Sequence, residues 1–187
     1  SPEWFDYRVG VHALGGGYVA RINQVLRVQQ GLTYGAYVRA DYQSPFPGTS
    51  ILSTFTQTGD LIRALDLAFV EMFGFKTKPL PTEELDVVKD MINNKRAFIF
   101  EKIDGVIMQL YLLKMYRLKD DFLKSYEERI SKVTSENVKR AVGEVFHKAA
   151  GYVVVVGNSD LEAPLKAWTE KQGGIFEMRP AQSVIEP

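Results

Sequence analysis

The sequence has few of the residues that hold metals: cysteine is absent, and histidine occurs only at His12 and His147. Without cysteine there can be no disulfide, thiolate metal ligand or cysteine nucleophile. A zinc site needs several His, Cys or carboxylate ligands at defined spacings, and the two histidines are far apart. Glu144 and His147 lie three positions apart, which is more typical of a hydrogen bond on a helix surface. The sequence therefore predicts no metal ion and no cofactor in this chain.

An excess of charge of one sign is also lacking, because 23 Lys and Arg balance 23 Asp and Glu. Nucleic acids and anionic membranes require a positive surplus on some face, so we expect neither as a partner. The densest basic stretch, 114–124, is offset by Asp120 and Asp121. No apolar run reaches the roughly 18 residues of a membrane span, and no signal-peptide pattern is present. These features do not locate the protein; in a bacterium, both cytoplasm and periplasm would fit.

The hydrophobic pattern changes period along the chain. Apolar residues recur at helical spacing over 3–14 and 18–29, and then alternate with a period of two from Tyr34 to Tyr42. A turn over 44–48 and a second β-rich run over 49–58 complete a predicted hairpin. The other predicted elements are helices over 61–75, 83–126 (with breaks near Asp104-Gly105 and Lys119-Asp120), 134–147 and 161–171, and a short apolar strand over Gly151–Gly157.

This order predicts an α+β fold in which helices are layered on a small antiparallel or mixed sheet. Its 187 residues suit one domain, spanning 1–187. Three strands are few for so many helices, so we expect a further strand upstream of Ser1. The start at Ser1, without a methionine, is interpreted as that of a mature or excised piece.

The triplet Gly15-Gly16-Gly17 precedes a helix, where exposed backbone N–H groups can hold a phosphate. It lacks the Gly-Lys-Ser/Thr ending of a nucleotide loop and does not follow a strand, so a helix–helix corner is the better interpretation. No Gly-x-Ser-x-Gly elbow of a serine hydrolase occurs.

Arg27 and Tyr34 form the pattern that packing explains least well. Arg27 falls in the last turn of a predicted helix, and Tyr34 begins the next strand, seven residues later across a turn at Gly31. This arrangement can bring both side-chain tips toward one point. A guanidinium supplies paired donors and a phenol supplies one, and neither is a base at neutral pH. Such a pair suits binding carbonyl oxygens or stabilising an oxyanion.

The blocks around these two residues resemble the C-terminal half of the pitrilysin/insulinase zinc peptidases, a family that includes the mitochondrial processing peptidase. The most specific part is the run from Arg27 to the Gly-Leu-Thr-Tyr sequence, and the resemblance covers nearly the whole chain. The matching segments are Leu14–Gly17, Ala20–Arg27, Gly31–Gly35, Pro81–Leu85, Ile130–Thr134 and Val153–Gly157.

In that family two homologous α+β halves face each other across a chamber, and one half carries an inverted His-x-x-Glu-His zinc motif. The resemblance implies that Arg27 binds backbone carbonyls of an unfolded peptide and that Tyr34 hydrogen-bonds the scissile carbonyl, as catalytic and substrate-binding residues. The zinc motif is absent here, so this chain alone is expected to be inactive. Zinc is expected in a partner half, either in the same polypeptide or in a separate subunit.

Two other functions remain open at the level of sequence. The chain could be a non-catalytic structural or assembly domain derived from the same family, because a fold can persist after its activity is lost. A peptide-binding chaperone is the third alternative.

Overall fold

The computed structural model describes residues 3–43, 46–146 and 151–180, which form helices packed around a β-hairpin. This confirms the predicted α+β class with a small antiparallel sheet. No helix in these ranges is long and apolar enough to cross a membrane. The main helices are α1 (Glu3–Gly15), α2 (Arg21–Asn23, continued by a π-helical turn at Gln24–Gln29), α3 (Leu61–Phe73), α4 (Thr82–Phe100), α5 (Ile103–Met115), α6 (Tyr126–Ser131), α7 (Ser135–Val145) and α8 (Glu162–Lys171). Short 3₁₀ turns lie at Thr58–Asp60, Gly74–Lys76 and Ser159–Leu161.

Helix α1 lies at the centre of the main hydrophobic core and packs against α4, α7 and the hairpin. Val9 and Leu14 are completely buried on it. A Cβ atom added at Gly15 would lie 2.3 Å from the backbone nitrogen of Val38 in the hairpin. Glycine at this position therefore allows the end of α1 to approach the sheet closely, a role that the sequence pattern assigned only to helix termination.

The hairpin consists of β1 (Ala36–Gln43) and β2 (Phe46–Thr54), paired antiparallel from Ala36↔Thr54 onward. It confirms the predicted hairpin, but with different ends: β1 begins two residues after Tyr34, and β2 ends before 58. The Thr33 hydroxyl donates to the Gly35 carbonyl and accepts from the Gly35 N–H, which holds these residues in a local turn rather than in the ladder. The predicted turn residues Ser44 and Pro45 lie outside the described residues.

The helical region from 82 to 131 has two breaks, of which one lies where it was predicted. The break over 116–125 contains Lys119-Asp120 and confirms that prediction. The other falls at Glu101–Lys102 rather than at Asp104-Gly105, and Gly105 lies inside α5. A Cβ atom at Gly105 would lie only 1.9 Å from the Ile99 carbonyl oxygen. This glycine therefore permits close packing between α4 and α5 and does not end a helix.

The predicted strand over Gly151–Gly157 is wrong for the structure as described. These residues form no strand, and Tyr152 and Val156 are 98% and 95% exposed. A strand requires a hydrogen-bonding neighbour, and the sheet of the described residues contains β1 and β2 alone. An apolar, β-branched sequence favours extended backbone but cannot supply that neighbour.

Candidate substrate-binding site

Arg27 lies on the π-helical turn that follows α2, at the exposed surface. Its guanidinium carbon lies 4.8 Å from the centre of the Tyr18 ring, in a cation–π contact. π-helical turns are rare and occur frequently at functional sites. The sequence predicted a helix with Arg27 in its last turn, but it predicted neither the π-helical geometry nor the contact with Tyr18.

The turn that carries Arg27 is anchored by buried apolar side chains that pack together. Ile22 and Leu26 are completely buried, and they pack with Leu32 and Ala36 of the following segment and with α3. A side chain held by a packed base keeps its position at little entropic cost, because its backbone is already ordered.

Asn23 joins three parts of this site. The residue is completely buried; its Oδ1 accepts from the Ala36 N–H at 2.8 Å, and its Nδ2 donates to the Gly17 carbonyl at 2.9 Å. It therefore fixes the start of β1 and the glycine corner relative to α2. The sequence did not lead us to predict this role. A polar residue adjacent to an apolar helix position such as Ile22 could have indicated it, because buried polar groups form hydrogen bonds.

The connection from Arg27 to Tyr34 turns at Gly31, whose φ is +62°. The Gly31 N–H donates to the Arg27 carbonyl at 3.1 Å, and the Leu32 N–H donates to the Leu26 carbonyl at 2.8 Å. A left-handed glycine with these two bonds is a helix C-terminal motif, as the sequence predicted. The turn delivers Tyr34 to the surface, where its side chain is 82% exposed.

The structure brings Arg27 and Tyr34 to one exposed connection, but within the described residues it is Tyr18 that Arg27 contacts. A hydrogen bond that the Tyr37 phenol donates to Tyr18 raises the pKa of Tyr37, and the nearby Arg27 charge partly opposes this effect. Arg27, Tyr18 and Tyr37 are thus neighbours, and Tyr34 is exposed on the connection that follows Arg27. The predicted convergence of the Arg27 and Tyr34 tips on one substrate atom stays a prediction.

This arrangement offers hydrogen-bond donors and no metal ligands. Among the described residues no group of three or more His, Cys, Asp or Glu could hold a metal ion. His147, one of the two residues of the Glu144/His147 pair, lies outside the described residues. The residues that the structure describes therefore offer no site that fits a zinc ion.

Comparisons with known proteins agree with the fold. The inactive domain of an M16 peptidase from Pseudomonas fluorescens superposes with a TM-score of 0.69 at 22% identity, covering 79% of this chain and 35% of that chain. A protease from Helicobacter pylori superposes with a TM-score of 0.66 at 13% identity, covering 78% of this chain and 35% of that one. The curated non-peptidase homolog YmxG of Helicobacter pylori is 26% identical over 137 residues, which is 70% of this chain and 30% of that protein. No protein-family model matches the chain.

These similarities show that the chain has the fold of an M16 inactive peptidase domain, which confirms the predicted resemblance to a pitrilysin-like half without the zinc motif. The chain spans about a third of the length of these three proteins.

Proposed function

We propose that this chain is the substrate-binding, non-zinc half of a zinc-dependent endopeptidase. Arg27 holds backbone carbonyls of an unfolded peptide, and Tyr34 polarises the scissile carbonyl in a chamber shared with a zinc-bearing half. The sequence contains no His-x-x-Glu-His motif, so we infer that the chain alone does not cleave peptides. The observation that carries the proposal is the presentation of both donors on one exposed, well-supported connection.

The chemistry follows from what the two side chains can donate. A guanidinium binds carbonyl oxygens through several N–H groups in a fixed plane. The Tyr34 phenol adds one O–H donor, which is most useful where negative charge develops on the carbonyl oxygen during attack. The Tyr18 ring, which packs against Arg27, restricts where the guanidinium can lie. The guanidinium is therefore partly positioned before a peptide binds.

The surface of α5 supports the presence of a partner. This helix is apolar over much of its exposed side, and contiguous exposed apolar surface of this kind is typical of an interface. We infer that the zinc-bearing half covers it. The exposed apolar side chains on α5 are Ile103, Ile107, Met108, Leu110, Tyr111 and Met115.

The decisive experiment reconstitutes this chain with a homologous half that carries His-x-x-Glu-His and follows cleavage of an unfolded peptide. Tyr34→Phe removes one donor and should lower kcat by about 10²–10³. Tyr152→Phe, at an exposed phenol outside the proposed site, is the matched control and should retain most of kcat. If Tyr34→Phe leaves kcat unchanged in an active complex, the proposed role of Tyr34 is wrong.

A non-catalytic assembly role is the second candidate, and the similarity to a relative named a non-peptidase homolog favours it. In that case the two halves would associate normally but show no cleavage, and substitutions at Arg27 and Tyr34 would change neither association nor activity. Association and cleavage measured on the same sample distinguish the two functions.

A further inference from the structure

A groove of about 1800 Å³ lies between helices α1, α4, α5 and α6. Pockets for small molecules typically measure about 300–1,000 Å³, so this one has room for an elongated ligand. Neither Arg27 nor Tyr34 lines it. Its function is therefore separate from the role proposed above.

The lining of the groove is strongly cationic, although the whole chain has no net charge. Asp6 is the one acidic side chain among the described residues that line it. The cations that line it are Arg8, Lys95, Arg96, Arg117, Lys119, Arg129 and Lys132. Of these, Lys132 is paired with Glu128 at 2.5 Å, and the other six form no ion pair among the residues described.

Three of the arginines lie over aromatic rings at one side of the groove. The distances from guanidinium carbon to ring centre are 5.1 Å for Arg8–Trp4, 5.9 Å for Arg8–Tyr126, 4.7 Å for Arg96–Tyr126, 5.7 Å for Arg129–Phe5 and 5.5 Å for Arg129–Phe122. Cation–π contacts of this kind fix the guanidinium planes while leaving N–H groups for other acceptors.

Arg8 carries one donor that no described group accepts. Its Nε is buried and has no hydrogen-bond partner within the described residues, although the half-buried side chain also hydrogen-bonds to Tyr126. Arg96, in contrast, donates one N–H to the Leu123 carbonyl at 2.6 Å. A buried N–H without an acceptor is unfavourable, so a ligand that brings a carboxylate into the groove would relieve that cost.

We propose that this groove binds an acidic peptide segment, whose carboxylates pair with Arg8, Arg96 and Arg129 and whose apolar side chains pack along the groove. Guanidinium and carboxylate match in planar, two-bond geometry. A single-stranded nucleic acid fits less well, because its bases need free aromatic faces for stacking and the guanidiniums already cover these rings. The groove also contains accessible aliphatic side chains such as Ile99 and Leu112, which suit a peptide.

The native fluorescence of the chain provides a local readout, because its two tryptophans lie in different places. Trp4 lines the groove, whereas Trp168 donates to Asp66 at 2.8 Å. In a Trp168→Phe background, titration with a Glu/Phe-alternating peptide should change Trp4 emission saturably. The effect should weaken as salt is raised, since screening acts on the charge pairs.

Two sets of variants test the proposed contacts. The double variant Arg96→Met/Arg129→Met should weaken binding by at least about tenfold, because each charge-assisted bond contributes strongly. Lys166→Met/Arg179→Met removes the same charge from exposed positions that do not line the groove and should leave affinity within about twofold. Thermal unfolding of each variant shows whether the fold is retained.

If either the double variant or the tryptophan background fails to fold, the wild-type chain still decides the question. A photoreactive Glu/Phe peptide should label peptides of α1, α4, α5, α6 or the lining segment 116–123, and labelling confined to other regions would overturn the proposal. Equal binding of a Lys/Phe peptide, or binding of oligo-deoxythymidine without binding of the acidic peptide, would overturn it as well.

Discussion

The Arg27 guanidinium lies over the Tyr18 ring at 4.8 Å, and the Tyr37 phenol in turn donates a hydrogen bond to Tyr18. These three residues come from the glycine corner, the π-helical turn and the first strand, so the contact ties together elements on each side of the Gly31 turn. The Arg27 side chain, which is proposed to bind a peptide, therefore packs against an aromatic ring.

The Tyr18 contact predicts opposite changes in the titration of Tyr37. The hydrogen bond from Tyr37 to Tyr18 is the largest cause that raises the Tyr37 pKa, so Tyr18→Phe, which removes the acceptor, should lower it. The Arg27 charge lowers that pKa, so Arg27→Met should raise it further. NMR titration of ring-labelled tyrosines, assigned with Tyr37→Phe, measures both shifts. Equal behaviour of the two variants would contradict this arrangement.

Asn23 is predicted to be essential to the stability of the site. Asn23→Ala leaves the Ala36 N–H and the Gly17 carbonyl without their partner, which should cost about 3 kcal/mol of unfolding free energy. Gln24→Ala is the control, because the Gln24 amide makes one exposed, 3.4 Å bond and its loss should cost less than about 0.5 kcal/mol. Chemical denaturation measures both, and equal losses would show that the Asn23 bonds are not responsible.

Gly31 is predicted to be required because of its left-handed backbone conformation, and not because a larger side chain would lack space. A Cβ atom there meets nothing within 4 Å, but the φ of +62° is unfavourable for alanine, so Gly31→Ala should destabilise the protein by about 1 kcal/mol. Gly31→Asn should cost less, because asparagine tolerates this region. Gly59 also has open space around it, without a positive φ, so Gly59→Ala should be neutral or slightly stabilising. Stability measured on these three variants separates strain from packing.

The lowered pKa of His12 predicts that the folded protein loses stability in mild acid. Burial, aided by the Arg8 charge, lowers its pKa from 6.5 to about 4. As pH falls from 6.5 toward 4, the unfolded chain binds a proton at this position and the folded protein does not, so unfolding becomes easier. The full effect, below about pH 4, amounts to about 3 kcal/mol. Its Nδ1 lies 3.0 Å from the Arg8 carbonyl, which the neutral ring can satisfy as a donor.

The test of the His12 prediction is the pH dependence of unfolding free energy for wild type and His12→Leu. The variant should lose less stability between pH 6.5 and 4. Asp6→Asn is the control: burial raises the Asp6 pKa, so that carboxyl contributes in the opposite direction, with stability falling as pH rises above 3.8. An unchanged slope in His12→Leu would mean that other groups cause the acid loss.

The sequence by itself determined the local structure. Periodicity gave the hairpin and most helices, because each depends on the order of apolar residues along a few turns. The left-handed C-terminal turn at Gly31 was predictable for the same reason. The capping of α7 by Thr134, which accepts from the Asn137 N–H at 3.2 Å, also depends on neighbouring residues.

Only the tertiary structure decided which distant groups meet. The sequence could not show that Tyr18 lies under Arg27 or that Asn23 links Gly17 to Ala36, because these contacts depend on how helix and hairpin pack. The sequence also predicted a strand at 151–157. The residues there favour extended backbone, but the described fold has no neighbouring strand with which they could pair. The cationic groove is the clearest case: balanced charges along the chain gave no sign of it, since helix packing alone gathers Arg8, Arg96 and Arg129 on one surface.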